Sequence, residues 1–210
     1  YKPIHNHFKM KKILIYVIAA ATMMLTSCGL AEKAAEFGSP SMDSKSTYES
    51  LAKQVSEFDK GWKPFRLLVT NKGVNDECSN ELSLAQVYMV NAENERISQT
   101  VLPKLGDPKP LDGYKDINYD ELTPLDLSAA TLLKNVDDCK AMIPEGFKFL
   151  NIEDYLITYE PRDKGYEAVL EINVQEIGKE KVEANGKSSE VYYQLKFRIA
   201  PDGTISIEDN

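Results

Sequence analysis

The sequence predicts an α+β protein in which antiparallel β-meander sheets are each covered by a helix, arranged as two helix-then-strands modules. Apolar and polar residues alternate in 166–175 and in 191–199, a pattern typical of antiparallel strands with one face on a core and the other in water. Two other segments carry apolar residues at helical spacing. We place the first module at 46–106 and the second at 107–210.

The first module is predicted to begin with a helix. Ser46 and Glu49 have the spacing of a capping box, in which the serine oxygen accepts a hydrogen bond from an amide of the first turn. An apolar stripe follows, formed by Tyr48, Leu51, Val55, Phe58 and Trp62. Strands are predicted at 65–70, 82–90 and 96–102. The second of these strands would also suit a helix by the spacing of its apolar residues.

The second module is predicted to begin with the clearer helix of the two. Thr123 is a candidate N-cap with Pro124 in the first helical position, a strong start signal. The apolar stripe comprises Leu125, Ala129, Leu132, Val136, Cys139 and Ile143. Pro144 and Gly146 end the helix. Strands are predicted at 147–159, 166–175, 191–199 and 204–207.

The N-terminal part carries the most specific motif. Lys11 and Lys12 precede an apolar stretch, 13–25, that is too short to span a bilayer. The sequence Leu-Thr-Ser-Cys-Gly at 25–29 then resembles the lipobox of bacterial lipoproteins, whose cysteine is acylated with chains such as palmitate and becomes the mature N-terminus. The resemblance implies a signal peptide at 10–27, lipidation of Cys28 and a flexible tether at 28–45, and we expect residues 1–9 to be an upstream extension.

The lipobox resemblance also implies a location. Gly29 follows the cysteine, whereas an aspartate at that position can favour retention of lipoproteins at the inner membrane. We therefore expect an outer-membrane lipoprotein that faces the periplasm. The acyl chains alone would attach it to the membrane, since each buried methylene contributes about 0.8 kcal/mol.

Composition excludes several classes of function. The only histidines are His5 and His7, upstream of Cys28, so a chain that begins at Cys28 has no imidazole for catalytic triads, zinc sites or general-base catalysis. Four lysines also precede Cys28, so a chain that begins at Cys28 has a net charge of −12 instead of −8. Such a negative charge disfavours the binding of nucleic acid. No glycine-rich phosphate loop is present. We expect a non-enzymatic protein without a cofactor.

Two cysteines remain after the lipobox, Cys78 and Cys139. In an oxidising compartment this pair can form a disulfide, which would stabilise the fold by about 4 kcal/mol. The alternative is a buried thiol at Cys139, which lies on the apolar stripe of the second helix. The sequence leaves both possibilities open.

A weak calcium motif lies before the second helix. Asp116, Asn118 and Asp120 alternate as oxygen donors do in calcium loops. However, Glu121 stands where such a loop needs glycine, and Leu127 stands where it needs a bidentate acid. A solvated acidic loop without metal is the favoured interpretation.

One surface is a candidate for binding. Tyr192, Gln194, Lys196 and Arg198 share the polar side of the strand at 191–199, and exposed tyrosine beside cations is typical of protein interfaces. The alternative is that a helix or the other module covers this side.

The order of a helix followed by a strand meander resembles the periplasmic α+β modules of the PepSY and β-lactamase-inhibitor-like group. This resemblance covers residues 46–210 and implies a non-catalytic binding or inhibitory module with a protein partner in the envelope. The alternative function is a carboxylate-dependent hydrolase, or a binding protein, for envelope glycans or peptides.

Overall fold

Both stretches of regular alternation form strands of one sheet. The computed structural model describes residues 40–71, 79–184 and 187–208, which form an antiparallel sheet of eight strands, a separate two-stranded ribbon and two α-helices. The α+β class is therefore confirmed. In chain order the elements are α1 (Lys45–Ser56), β1 (Trp62–Asn71), β2 (Leu82–Asn91), β3 (Arg96–Leu102), β4 (Lys109–Pro110), a short 3-10 helix (Tyr119–Glu121), α2 (Ala129–Ala141), β5 (Phe147–Glu160), β6 (Gly165–Glu176), β7 (Lys181–Ala184), β8 (Lys187–Glu190), β9 (Tyr193–Ile199) and β10 (Ile205–Glu208).

The sheet joins the two halves of the chain. Its strand order is β10-β9-β6-β5-β1-β2-β3-β4, so β1 of the first half pairs with β5 of the second half at the centre. Each half then runs outward as a meander from this central pair. The sequence predicted a sheet for each half, whereas the eight strands form one continuous sheet. The β7–β8 ribbon was not predicted.

Both helices cover the same face of this sheet. The Tyr155 hydroxyl on β5 accepts a hydrogen bond from Asn135 of α2 at 2.7 Å, and the Tyr48 ring of α1 packs edge-on against the Tyr155 ring. A single core of buried side chains includes residues of both helices, both central strands and the outer strands of each half. Burial of one apolar face by helices is the usual way to stabilise an antiparallel sheet.

Each helix begins at a different residue from the predicted one. The N-cap of α1 is Ser44, whose Oγ accepts a hydrogen bond from the Thr47 amide, and not Ser46. The N-cap of α2 is Ser128, and not Thr123. Residues 122–128 form no helix here because Leu122 and Leu127 are buried in two different apolar clusters, a tertiary constraint that local capping signals do not contain.

A smaller apolar cluster lies at one end of the sheet and includes side chains of the face opposite the helices, such as Val90. The register of β1 shifts between Pro64 and Arg66, and Phe65 packs against the rings of Tyr88 and Tyr114. The loop before α2 folds over this end and contributes buried Ile117 to the cluster. Apart from this loop, no described helix covers the sheet face opposite α1 and α2.

Candidate functional site

The predicted binding residues lie on the sheet face opposite the helices. Gln194, Lys196 and Arg198 point from β9 toward this side, and Tyr192 lies just before the strand, half-buried. Their neighbours across the sheet are set by the strand register, since directly paired residues share a face. We call the part of this surface outside the loop before α2 the open face, formed by Leu68, Thr70, Leu84, Gln86, Asn151, Glu153, Asp154, Leu156, Thr158, Glu167, Val169, Glu171, Asn173, Gln194, Lys196, Arg198, Ser206 and Glu208.

The two predicted cations of this face are held in ion pairs. Arg198 contacts Glu167 on β6 at 2.6 Å and Glu208 on β10 at 2.5 Å, and Lys196 contacts Glu208 at 2.9 Å. These hydrogen bonds lower the pKa of Glu208 and raise the pKa of Arg198. Exposed ion pairs contribute little to stability, so their main effect here is to fix the side chains in place and neutralise their charges.

An acidic group lies next to this network. Glu153, Asp154 and Glu171 occupy adjacent positions of β5 and β6. Gln194 donates hydrogen bonds to Glu153 at 3.0 Å and to Glu171 at 3.4 Å. Burial, together with the charges of Glu171 and Glu153, raises the pKa of Asp154 to about 6. This part of the open face therefore carries an excess of negative charge.

Two buried amides border the acidic group. Asn173 of β6 is 6% exposed and pairs across the sheet with Asn151 of β5, which is 4% exposed. The Asn173 amide nitrogen donates to Glu153 at 3.1 Å. Among the described residues, the Oδ1 atoms of both asparagines accept no hydrogen bond, although buried polar atoms nearly always have a partner.

A row of aliphatic side chains crosses the centre of the open face. Leu68 of β1 pairs with Leu156 of β5, which pairs with Val169 of β6. All three are half-buried, and none belongs to the main core or to the smaller cluster. Aliphatic residues in a row on the solvent side of a sheet are a signal of a binding surface.

Of the three cysteines with predicted roles, Cys139 lies within the described residues. Cys139 is fully buried in α2 and is bonded to no described cysteine, and burial raises the pKa of its thiol to about 12, which makes the thiol a poor nucleophile. Cys28 and Cys78 lie outside the described residues. Lipidation of Cys28 and the Cys78–Cys139 disulfide therefore stay predictions.

The weak calcium motif forms part of the loop that covers the smaller cluster. Asp116 and Asp120 are exposed, and Asn118 donates to Glu121 at 3.3 Å. Within ranges 40–71, 79–184 and 187–208, no group of three or more acidic, cysteine or histidine side chains is arranged to hold a metal ion. Ile117, between Asp116 and Asn118 in sequence, is buried in the smaller cluster. This segment therefore has a role in packing.

Two shallow recesses flank Trp62, at the start of β1. One has a volume of about 220 Å³ and is bordered by Pro64 and Pro124, and the other has a volume of about 390 Å³ and is bordered by Arg96 and Pro110. Glu95 is the one carboxylate that borders either of these two recesses. They offer apolar contacts to a ligand and no paired acids.

Comparison of the chain with protein-family models, with curated proteins and with solved structures gave no match. None of the helices in the described ranges is long and apolar enough to cross a membrane.

The sequence indicated one edge of the open face but missed its centre. Glu171 and Asn173 belong to the polar side of a strand with clear alternation, so their place on this face was predictable. Leu156 and Asp154 were not, because β5 is apolar on both faces and its register shifts between Ile152 and Asp154. No local pattern reports such a shift.

Proposed function

We propose that the protein is a lipid-anchored envelope lipoprotein that binds a protein partner, without catalysis, through the open face. The observation that carries this proposal is the aliphatic row Leu68, Leu156 and Val169, which lies on the side of the sheet that neither helix covers. Polar ladders flank the row, as in protein interfaces that combine an apolar centre with a polar rim. The lipobox at Cys28 supports a location at the outer membrane, facing the periplasm.

Site-specific photocrosslinking tests this proposal. A benzophenone amino acid is introduced into the full-length chain at exposed Gln194 or Ser206 of the open face, or at exposed Lys53 on α1 as the control. We expect the open-face positions to yield the same crosslinked protein in native envelopes and Lys53 to yield none. A product from Lys53 alone, or no product from any position, would contradict binding through the open face.

We further propose that the chain consists of two helix-then-strands halves, 46–106 and 107–210, related in pattern to PepSY and β-lactamase-inhibitor-like modules. The support is the order of elements, since a helix precedes a strand meander in each half. The central pairing of β1 with β5 then combines the halves into a sheet wide enough to present an extended binding face.

The recesses beside Trp62 support a second candidate, the binding of an envelope glycan or peptide. Indole rings commonly provide a flat apolar surface for ligands while keeping a polar N–H. Trp62 is the only tryptophan of the chain, so its fluorescence reports directly on these recesses. A saturable change on addition of peptidoglycan fragments would favour this candidate, and hydrolysis of those fragments would favour the carboxylate-dependent hydrolase.

A further inference from the structure

The acidic end of the open face is rich in hydrogen-bond acceptors and poor in donors. Glu153, Asp154 and Glu171 supply carboxylate oxygens, and Asn151 and Asn173 add two amide oxygens that accept no hydrogen bond from any described residue. Asp154 has neither a hydrogen-bond donor nor a cation as partner within the described ranges. Asp154 is half-buried, and a partly buried carboxylate without a donor costs free energy, so it is suited to a ligand that donates.

The charges around this site leave it negative. Lys196, the cation on the same row of the sheet, is paired with Glu208, and Arg198 is shared between Glu167 and Glu208. On the opposite side, the neighbours of Asp154 along its row are Thr70 and Leu84, which carry no charge. No cation of the described chain forms an ion pair with any of the three carboxylates, although Lys196 lies across the sheet from Glu171.

The acceptors are spread along two neighbouring strands. Glu153 and Asp154 are consecutive on β5 and Asn151 lies two residues before Glu153, with Asn173 and Glu171 beside them on β6. Such a spread matches several donor groups spaced along an extended chain better than one compact ion. The aliphatic row at Leu156 and Val169 lies next to it, and the long stems of lysine and arginine can pack on such a surface.

We propose that the acidic end of the open face binds a lysine- or arginine-bearing segment of the protein partner, whose cationic side chains donate to Glu153, Asp154 and Glu171. Ammonium and guanidinium groups carry several donors and form strong hydrogen bonds with carboxylates. This inference rests on the proposed function, because it names the chemistry of the partner that the open face takes.

A defined peptide tests the inference without knowledge of the natural partner. The probe is an octapeptide of alternating lysine and alanine, which places its lysines on one side when extended, and a glutamate–alanine octapeptide is its counterpart. The side-chain amide resonances of Asn173 and Gln194 are followed by NMR during titration of the full chain. We expect the lysine peptide to shift these resonances saturably and the glutamate peptide to leave them unchanged.

Matched charge variants separate the site from the general negative charge of the protein. The site variant carries Glu153→Gln, Asp154→Asn and Glu171→Gln, and the control variant carries Glu49→Gln, Glu57→Gln and Asp137→Asn on the helical side. Both remove three negative charges. We expect the site variant to bind the lysine peptide at least tenfold more weakly than the wild type and the control variant to bind within about twofold.

Three results would overturn the inference. These are equal losses in the two variants, no shift with the lysine peptide, or the same amide shifts with calcium chloride alone. In each case, crosslinking from Gln194 and Ser206 to a partner would leave the proposed function standing and reject only the basic segment. Loss of crosslinking from the open face would reject the proposed function itself.

Discussion

At the scale of single residues, Asp154 is the group whose charge the fold disfavours most clearly. Folding raises its pKa from 3.8 to about 6, through burial and through the like charges of Glu171 and Glu153. The folded state therefore binds this proton more tightly than the unfolded state between these two pH values. Stability increases as pH falls through this window, and the ionised carboxylate costs stability above it.

This sign leads to a prediction for Asp154→Asn. The amide removes the disfavoured charge and keeps the shape of the side chain, so we expect the free energy of unfolding at pH 7.5 to increase by about 1 kcal/mol, a value reduced for partial solvent exposure. At pH 4 the gain is expected to disappear because the carboxyl is then neutral in the folded state. Urea denaturation at both pH values measures the difference.

Asp137→Asn is the matched control for this prediction, because Asp137 is exposed on α2. We expect no gain in stability from it at either pH. A gain from Asp154→Asn that persists at pH 4, or no gain at pH 7.5, would show that the charge of Asp154 is not what destabilises this position.

At the scale of secondary-structure elements, the start of α1 allows a direct test. Ser44 accepts a hydrogen bond from the Thr47 amide at 3.2 Å, whereas the sequence pattern assigned the capping role to Ser46. We expect Ser44→Ala to lower the free energy of unfolding by about 1 kcal/mol and Ser46→Ala to change it by less than about 0.5 kcal/mol. Urea denaturation of the two variants checks this. A larger loss of stability from Ser46→Ala than from Ser44→Ala would instead support Ser46 as the N-cap.

The elements themselves were largely predictable from the sequence. Strands β2, β3, β5 and β6 begin and end within one or two residues of their predicted bounds, because apolar alternation and turn residues act locally. The starts of the helices were less predictable, since several serine, threonine and aspartate residues compete as caps before each helix. Burial of Met42 and Leu127 decides between them, and burial is a tertiary property.

At the scale of the whole molecule, the arrangement of strands was beyond the sequence. The pairing of β1 with β5 joins residues far apart in the chain, such as Val69 and Tyr155, and nothing local specifies it. The candidate site depends on this pairing, because the aliphatic row takes Leu68 from the first half and Leu156 from the second half. The sequence alone could therefore predict which residues of β9 are polar. It could not predict the surface that they border, because the other strands of that surface come from distant parts of the chain.

The shared core predicts that the two halves depend on each other. Tyr48 and Val69 of the first half and Val136 and Leu170 of the second half lie in the same buried cluster. A half on its own would expose the residues that it buries against the other, at a cost of about 25 cal/mol for each Å² of apolar surface. The β1–β5 pair would also lose its hydrogen bonds.

A chain split after Gly106 tests this dependence at the boundary between the halves. We expect neither fragment alone to unfold cooperatively in urea, and an equimolar mixture to recover one cooperative transition, because the central strand pair and the common core form only when both halves are present. Circular dichroism and gel filtration of the fragments and of the mixture measure this. Cooperative unfolding of either fragment alone would show that its half is an independent module, and the open face would then be a surface assembled between two modules rather than part of one folding unit.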